Sequence, residues 1–399
     1  TTLGDPEVDS AAPISDAVAL RLQDRGGVIL GKTNVPYLGL GEDTDNPRFG
    51  LTVNPWDASR STAGSSGGAA AALAAGMGWL AHGSDLGGSI RGPASHCGVV
   101  GLRPSPGRVG HGGPGTRRMP LDLLNVDGPM ARDVGDVGLF LDALAGFTPH
   151  DPCATDAAPG VFAAAALTPR LPAEIIALPE MDGVRPAPEV RAVISAALEQ
   201  LSGAGVAIRE HDPARDGLDF AGVADAAYTL RLGAMRARSS PEHLARIAPF
   251  LPEIARRTYE DAERLELDAY LAAGERQQGL IRAMGAVLSS GRMLLTPAVS
   301  HAPKRHRRAD PPPPQPVSPE TASHWAREAV FAYAITLSLC PAIVLPAGRT
   351  PQGLPVGVQL VGPPRGEAAL LSAAKAVEEI LALPQVLPID PRPAGAGPL

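Results

Sequence analysis

Residues 61–91 read "STAGSSGGAAAALAAGMGWLAHGSDLGGSIR". Two serine–glycine turns, "GSSGG" (64–68) and "GGS" (87–89), bracket a run of alanines, with an aspartate (Asp85) before the second turn and an arginine (Arg91) after it. Glycine has no Cβ, so its N–H can point into a site and a ligand can come close to the backbone. Successive N–H groups in a tight turn make an anion-binding concavity. A serine on such backbone has a nucleophilic oxygen and, beside it, donors for the oxyanion that its attack creates. Taken alone, "GGSIR" (87–91) equally fits a capped glycine turn or a phosphate-binding loop. Neither turn has the GxxxxGK[ST] order of a phosphate loop, and "GSDLGG" (83–88) does not fit GxGxxG. The two turns together resemble a paired-serine site more than a nucleotide site. The alanine run predicts a helix with small side chains all round, packed closely on several faces.

Outward from this stretch, helical and strand patterns alternate. An amphipathic helix is expected over 15–26 and a buried strand over "GVILGKTN" (27–34). Residues 42–60, rich in Asn, Asp, Pro and Gly, are expected to be irregular. Further strands are expected at 98–105, 206–210, 291–298, 341–348 and 353–362, and helices at 131–146, 188–203, across most of 220–290, and at 325–339 and 367–383. Residues 148–170 look like a linker or surface excursion. The basic and proline-rich stretch "HAPKRHRRADPPPPQPVSP" (301–319) reads as an exposed loop rather than a nucleic-acid patch. The pattern is that of a mixed α/β sheet with helices on both faces, in which strands from near both chain ends share the sheet.

Composition narrows the function classes. The chain has 399 residues, 44% of them hydrophobic, enough for a large core. The formal net charge of −7 argues against nucleic acid as a partner, because phosphate binding needs a basic surface. No apolar run reaches membrane-spanning length, residue 1 opens no signal-peptide pattern, and no membrane partner is expected. Cys97, Cys153 and Cys340 form no CxxC pair, which fits a reducing, cytoplasmic setting. There is no HExxH motif and no Cys/His cluster, so neither metal nor cofactor is expected. His82, His96 and His111 lie near the serines, but the paired serines already account for the loop; ordinary packing or surface roles are expected for them.

The stretches "GGVILGKTN", "DNPRFGLTVNPWDASRSTAGSSGGAAAALAAGMG", "AHGSDLGGSIRGPASHCGVVGLRPSPGRV", "LLTPA" and "PAIVLPAGRTPQGLPVGVQLVG" resemble the amidase signature family, and together they reach from one end of the chain to the other. The resemblance implies a single α/β/α domain over 1–399 with a large mixed sheet. Its signature core is 27–110, a variable helical region that shapes the pocket lies at about 148–290, and 291–399 form the C-terminal part of the sheet. It implies hydrolysis of carboxylic amides by a Ser–cis-Ser–Lys triad. Carried over by motif, Ser89 matches the acylated nucleophile, and Ser65, beside a cis peptide, matches the serine that links it to the lysine. Ser66 matches a supporting hydrogen-bonding position, and the N–H groups of Leu86, Gly87, Gly88 and Ser89 match the oxyanion hole. Asp85 and Arg91 match charged residues that brace the loop. Ser84 and Leu86 depart from the usual Thr and from the usual small residue or Thr.

The lysine is the larger departure. The family has it shortly before a Thr-Thr pair, and here "TTLGD" is residues 1–5, so the expected position falls upstream of Thr1. Lys32, Lys304 and Lys375 are the three lysines of the chain, and none matches that position. Three readings stand. The first is hydrolysis of a small-molecule amide through an acyl-enzyme, by a protein related to aryl-acyl amidases or oligoamide hydrolases and with a homodimer as candidate assembly. The second is an amidotransferase component that releases ammonia for a tRNA-linked reaction. The third is an inactive relative.

Overall fold

Along the strand Arg292–Pro297, Met293 and Leu295 belong to one buried cluster and Leu294 to another. That alternation is the period-two signature of a strand covered on both faces, and it recurs at Ile175 and Ile176 and at Ile343 and Val344. The computed structural model describes residues 2–8, 15–112, 123–238, 240–309 and 327–383. Its main sheet has eight strands: β1 (Leu80–Asp85), β2 (Val100–Arg103), β3 (Val126–Ala131), β4 (Glu174–Ala177), β5 (Ile208–Glu210), β6 (Arg292–Pro297), β7 (Ala342–Arg349) and β8 (Pro355–Val361). Their spatial order is β1-β3-β2-β7-β8-β6-β4-β5. The pairings are antiparallel from β1 through β6 and parallel for β6–β4 and β4–β5. Strands from 80–131 and from 292–361 therefore share one mixed sheet, but none from near the start of the chain joins it.

Helices α1 (Gly67–Ala74), α2 (Arg91–Cys97), α5 (Val223–Arg238), α6 (Leu267–Leu288) and α7 (Val330–Ser338) cover one face. Helices α3 (Val134–Leu144), α4 (Pro188–Gly203) and α8 (Glu367–Leu381) cover the other. The serine–glycine turns belong to the first face. In α1, Ala69, Ala70, Leu73 and Ala74 are at most 1% exposed, so this helix is packed closely, as its small side chains require.

Several expectations need correction. Residues 27–34 form no strand, and Val28 and Leu30 are 84% and 75% exposed. An apolar run becomes a buried strand only where a neighbour pairs with it, and no described strand lies alongside. Residues 42–60 are less irregular than their composition implies, because Asp45–Asn46 pairs with Gly50–Leu51 and Val53–Asn54 with Asp57–Ser61. Within 148–170, the short helix Val161–Ala166 buries Phe162 and Ala166 in the core. Strands β1, β3 and β4 escaped the pattern; β1 carries His82, Gly83 and Ser84, and β3 carries Gly128 and Pro129, which pairs with His82. The basic stretch is, as expected, a loop over 301–309 with Lys304, Arg305, Arg307 and Arg308 exposed, and it is tethered to 43–45. The Arg307 N–H donates to Asp43 at 2.9 Å, and Arg308 grips Asp45 through two hydrogen bonds of 2.6 and 2.8 Å. Its proline run lies outside the described residues.

The turn after β1 is held by one buried carboxylate. Asp85 accepts hydrogen bonds from the N–H groups of Gly88 (3.0 Å), Ile90 (3.1 Å) and Arg91 (3.3 Å), and from Arg91 Nε (3.0 Å) and Nη2 (2.8 Å). Arg103 also donates to it, at 3.4 Å. Asp85, Arg91 and Arg103 are 0% exposed. Arg91 reaches on to Ala332 O and Thr336 Oγ1 of α7 and to Gln359 Oε1 of β8. Burial opposes ionisation of Asp85, but the charge and hydrogen bonds of Arg91, then Arg103, outweigh it and hold the carboxyl well below its ordinary 3.8. The linked stability is therefore fully present above that value and is lost as acid titrates the folded carboxyl.

Asp85→Asn leaves two buried guanidiniums without their counter-charge and should lower the unfolding free energy by about 3–5 kcal/mol in denaturant titration; an unchanged midpoint would show that the ion cluster is dispensable. Ala70→Leu or Ala74→Leu should overpack α1 by about 1–3 kcal/mol, whereas Ala72→Leu, at the half-buried position of the same helix, should be better tolerated in the same thermal melts.

Candidate active site

The two serine turns meet at the ends of α1 and α2. The Ser66 N–H donates to Ser89 O at 3.0 Å, clamping one turn to the other. Ser66 Oγ accepts from the Ser84 N–H at 3.3 Å and lies 3.4 Å from Ser84 O, tying the first turn to β1. The Gly64–Ser65 peptide bond is cis. Ser65 is 9% exposed and Ser89 half-buried, and both line one cavity of about 390 Å³.

The glycines of the second turn have no room for side chains. A Cβ on Gly87 would meet the Tyr333 ring at 2.8 Å. One on Gly88, at φ +99°, would meet Ala332 at 2.7 Å. Four N–H groups of this turn were expected to face an oxyanion. The Gly88 N–H is directed at Asp85 instead, because the carboxylate that braces the turn draws it inward. Within the described residues the N–H groups of Leu86, Gly87 and Ser89 donate to no acceptor. Leu86 O accepts from Thr336 Oγ1 at 2.5 Å, which fixes the first peptide of the turn.

The histidines divide. His82 and His111 face Asp127 at 3.7 and 3.8 Å, and neither lines the cavity. His96 does line it, one helical turn beyond Gly92 on α2, with its ring 5.4 Å from that of His301. Burial, helped by the neighbouring His301 and Lys304 charges, pushes His96 down to about 3. It is therefore a neutral imidazole at pH 7 and a weak base. Among the lysines, Lys32 is exposed in 27–34, and Lys375 pairs with Glu378 at 2.8 Å on α8. Lys304 lines the cavity, with Nζ 3.0 Å from Glu328.

Arg231, His301, Lys304 and Tyr333 are cavity residues that motif reading did not single out. They come from the helical middle and from the "HAPK" and "VFAYA" segments, whose composition marks only a loop and an apolar helix. Among the described residues no group of three His, Cys, Asp or Glu side chains is placed to hold a metal ion, and no helix is long and apolar enough to cross a membrane.

Known proteins share this fold and much of this sequence. The sequence profile of the family described as Amidase matches residues 2–371. The chain is 35% identical to a glutamyl-tRNA(Gln) amidotransferase component of Moorella thermoacetica over 408 aligned positions, covering 93% of this chain and 77% of that protein. It is 31% identical to the indoleacetamide hydrolase of Bradyrhizobium japonicum, again over 93% of this chain and 77% of the relative. The solved structure of a bacterial aryl acylamidase of the amidase signature enzymes superposes with a TM-score of 0.77 at 25% identity, covering 94% of this chain and 77% of that one. With this sheet, this pair of serine turns and a match over nearly its whole length, the chain belongs to the amidase family.

Proposed function

We propose that this amide-hydrolysing enzyme works through an acyl-enzyme formed on Ser89, with Ser65 as the relay for its proton. The observation that carries the assignment is the 3.0 Å hydrogen bond from the Ser66 N–H to Ser89 O, which holds both serine turns on one cavity wall beside the three uncommitted N–H groups. Ser89 Oγ attacks the amide carbonyl carbon. Its proton passes to Ser65 Oγ as Ser65 gives its own to a base. The N–H groups of Leu86, Gly87 and Ser89 receive the negative oxygen of the tetrahedral intermediate. The C–N bond then breaks, and the amine or ammonia leaves with a proton returned along the relay. Water attacks the resulting ester, loses a proton through the same relay and releases the carboxylic acid, restoring Ser89.

The base belongs to the proposal too: a neutral lysine at the family's position, ahead of Thr1. Within 1–399, Lys304 lines the cavity, but its Nζ is engaged by Glu328. A small-molecule amide is the proposed partner. A cytoplasmic setting is part of the same reading, supported by the three unpaired thiols Cys97, Cys153 and Cys340.

A second reading has support in the similarity to a glutamyl-tRNA(Gln) amidotransferase component. It uses the same chemistry but passes the released ammonia to a partner protein. Amide hydrolysis by the isolated full-length chain, with free ammonia as product, would count against it. A protein that hydrolyses no member of a panel of aliphatic, aromatic and peptide-like amides would instead be an inactive relative.

Ser89→Ala should abolish both hydrolysis and labelling by a fluorophosphonate; labelling of the native protein at another serine would overturn the assignment. Ser65→Ala should lower kcat by about 10²–10⁴, the worth of one proton-transfer partner. Residues 1–399 preceded by their natural upstream sequence should be active and lose that activity when its lysine becomes alanine. If Lys304→Ala removed the activity and the upstream lysine variant did not, Lys304 would be the base.

A further inference from the structure

Neither ring nitrogen of His96 has a hydrogen-bond partner among the described residues, although the residue is only 3% exposed. Buried polar atoms are nearly always paired, and a bare one carries a cost. His96 lines the cavity one helical turn beyond Gly92, and His301 lines it from the loop after β6, with the two ring centres 5.4 Å apart and the ring planes at 57°. Their segments meet beside the first serine turn. A Cβ on Gly92 would stand 3.7 Å from Ala63 Cβ and 3.8 Å from Val299 Cγ1, and Ala63 is two residues from Ser65. The loop that carries His301 is pinned on both sides. The Ala187 N–H donates to Ser300 O at 2.8 Å, and the Ser61 N–H donates to Lys304 O at 2.8 Å. His301 Nδ1 lies 3.0 Å from Ala302 O. Opposite a carbonyl oxygen the tautomer that bonds carries its proton on Nδ1, which leaves Nε2 as an acceptor. Among the described residues nothing donates to that Nε2.

Resting on the hydrolytic reading above, we infer that His96 and His301 form a recognition subsite of this cavity and select amides that carry a hydroxyl away from the scissile bond. A neutral imidazole offers one N–H and one lone pair. A hydroxyl between the two rings donates to His301 Nε2 and accepts from the N–H of His96. Each such hydrogen bond spans about 2.7–3.2 Å, so rings 5.4 Å apart between centres are within reach of a single oxygen. No hydrogen bond holds the His96 ring in one orientation. A half-turn about χ2 interchanges its nitrogens with its carbons, so turning the N–H toward a ligand breaks no bond. Both rings are neutral at pH 7. Burial, then the His301 and Lys304 charges, outweighs the His301 backbone and pushes His96 down to about 3. Burial, then the Lys304 charge, lowers His301 below its ordinary 6.5. The pair therefore matches a neutral group that both donates and accepts. An apolar group in the same place leaves both imidazoles unpaired, which is how a polar pocket rejects it.

The test compares ω-hydroxy amides (β-hydroxypropionamide, γ-hydroxybutyramide, δ-hydroxyvaleramide) with amides that have a methyl in the hydroxyl's place (butyramide, valeramide, hexanamide) on the full-length protein. N-(hydroxyethyl)acetamide against N-propylacetamide asks the same of the amine side. At the length that reaches the rings, the hydroxylated member should have the higher kcat/KM by about 5- to 100-fold, the penalty for leaving a buried polar atom unpaired. His96→Phe and His301→Phe should each bring that ratio close to one, and His301→Gln, which keeps an acceptor, should retain part of it. A packing role for the two rings would depress both substrates in parallel and leave the ratio in place, which would overturn the inference. So would a native enzyme with no preference in either series, a result that needs no variant. Calorimetric binding of the favoured hydroxy amide to Ser89→Ala, with and without His301→Phe, reads the same contact without turnover. His301-dependent binding with no hydrolysis of any amide by the native protein would sink the hydrolytic reading and keep the subsite. Hydrolysis of hydroxylated and methyl-ended amides at equal rates would do the reverse.

Discussion

The Asp85–Arg91 ion pair joins parts of the molecule that are far apart in sequence. Asp85 ends β1, and Arg91 opens α2 and reaches α7 and β8. Gln359 continues the chain of contacts to Thr296 of β6 and to Phe331 O. Removing two charges from water carries a large desolvation penalty unless each lone pair and N–H finds a partner. Here the carboxylate accepts three backbone N–H groups as well as two guanidiniums, so the buried pair also dictates the path of residues 85–91. The turn that presents Ser89 has its shape because the backbone is wound around a charge.

That winding has a consequence for the N–H groups of the turn. A carboxylate that holds a turn from inside competes with the outside for the same N–H groups. The Gly88 N–H faces inward to Asp85, and within the described residues those of Leu86, Gly87 and Ser89 donate to no acceptor. Glycine is required at 87 and 88 on different grounds. Tyr333 occupies the space over the first, while the second combines a left-handed backbone with contact to Ala332. The turn is therefore confined between its carboxylate on one side and α7 on the other.

The cavity is built from two kinds of chain. The serine turns, α1 and α2 come from one contiguous stretch, 61–97, and carry the groups assigned to bond making. Arg231, Met235, His301, Lys304 and Tyr333 come from elements brought in by the fold. The hydrogen bonds that Asp85 accepts from Gly88, Ile90, Arg91 and Arg103 shape the Ser89 turn without contact to α5.

Residues 61–91 by themselves determined the pairing of two serines with glycine-rich backbone and a small-residue helix between them, because spacing and the absence of Cβ atoms are local properties. The layered α/β arrangement was also legible, since most helices and the late strands carry clear apolar periodicity. Strands β1, β3 and β4 were not, as their histidine, glycine, serine, proline and glutamate residues are tolerated only because neighbouring strands and helices cover them. Nor was the exposure of 27–34, whose apolar run says nothing about which strand would pair with it. Only the tertiary structure decided that the Gly88 N–H faces Asp85 and that Arg231 stands beside Tyr333, which packs on the Ser89 turn. Contacts such as the second join residues on the order of a hundred positions apart, and no local pattern encodes which of many arginines will meet which buried partner.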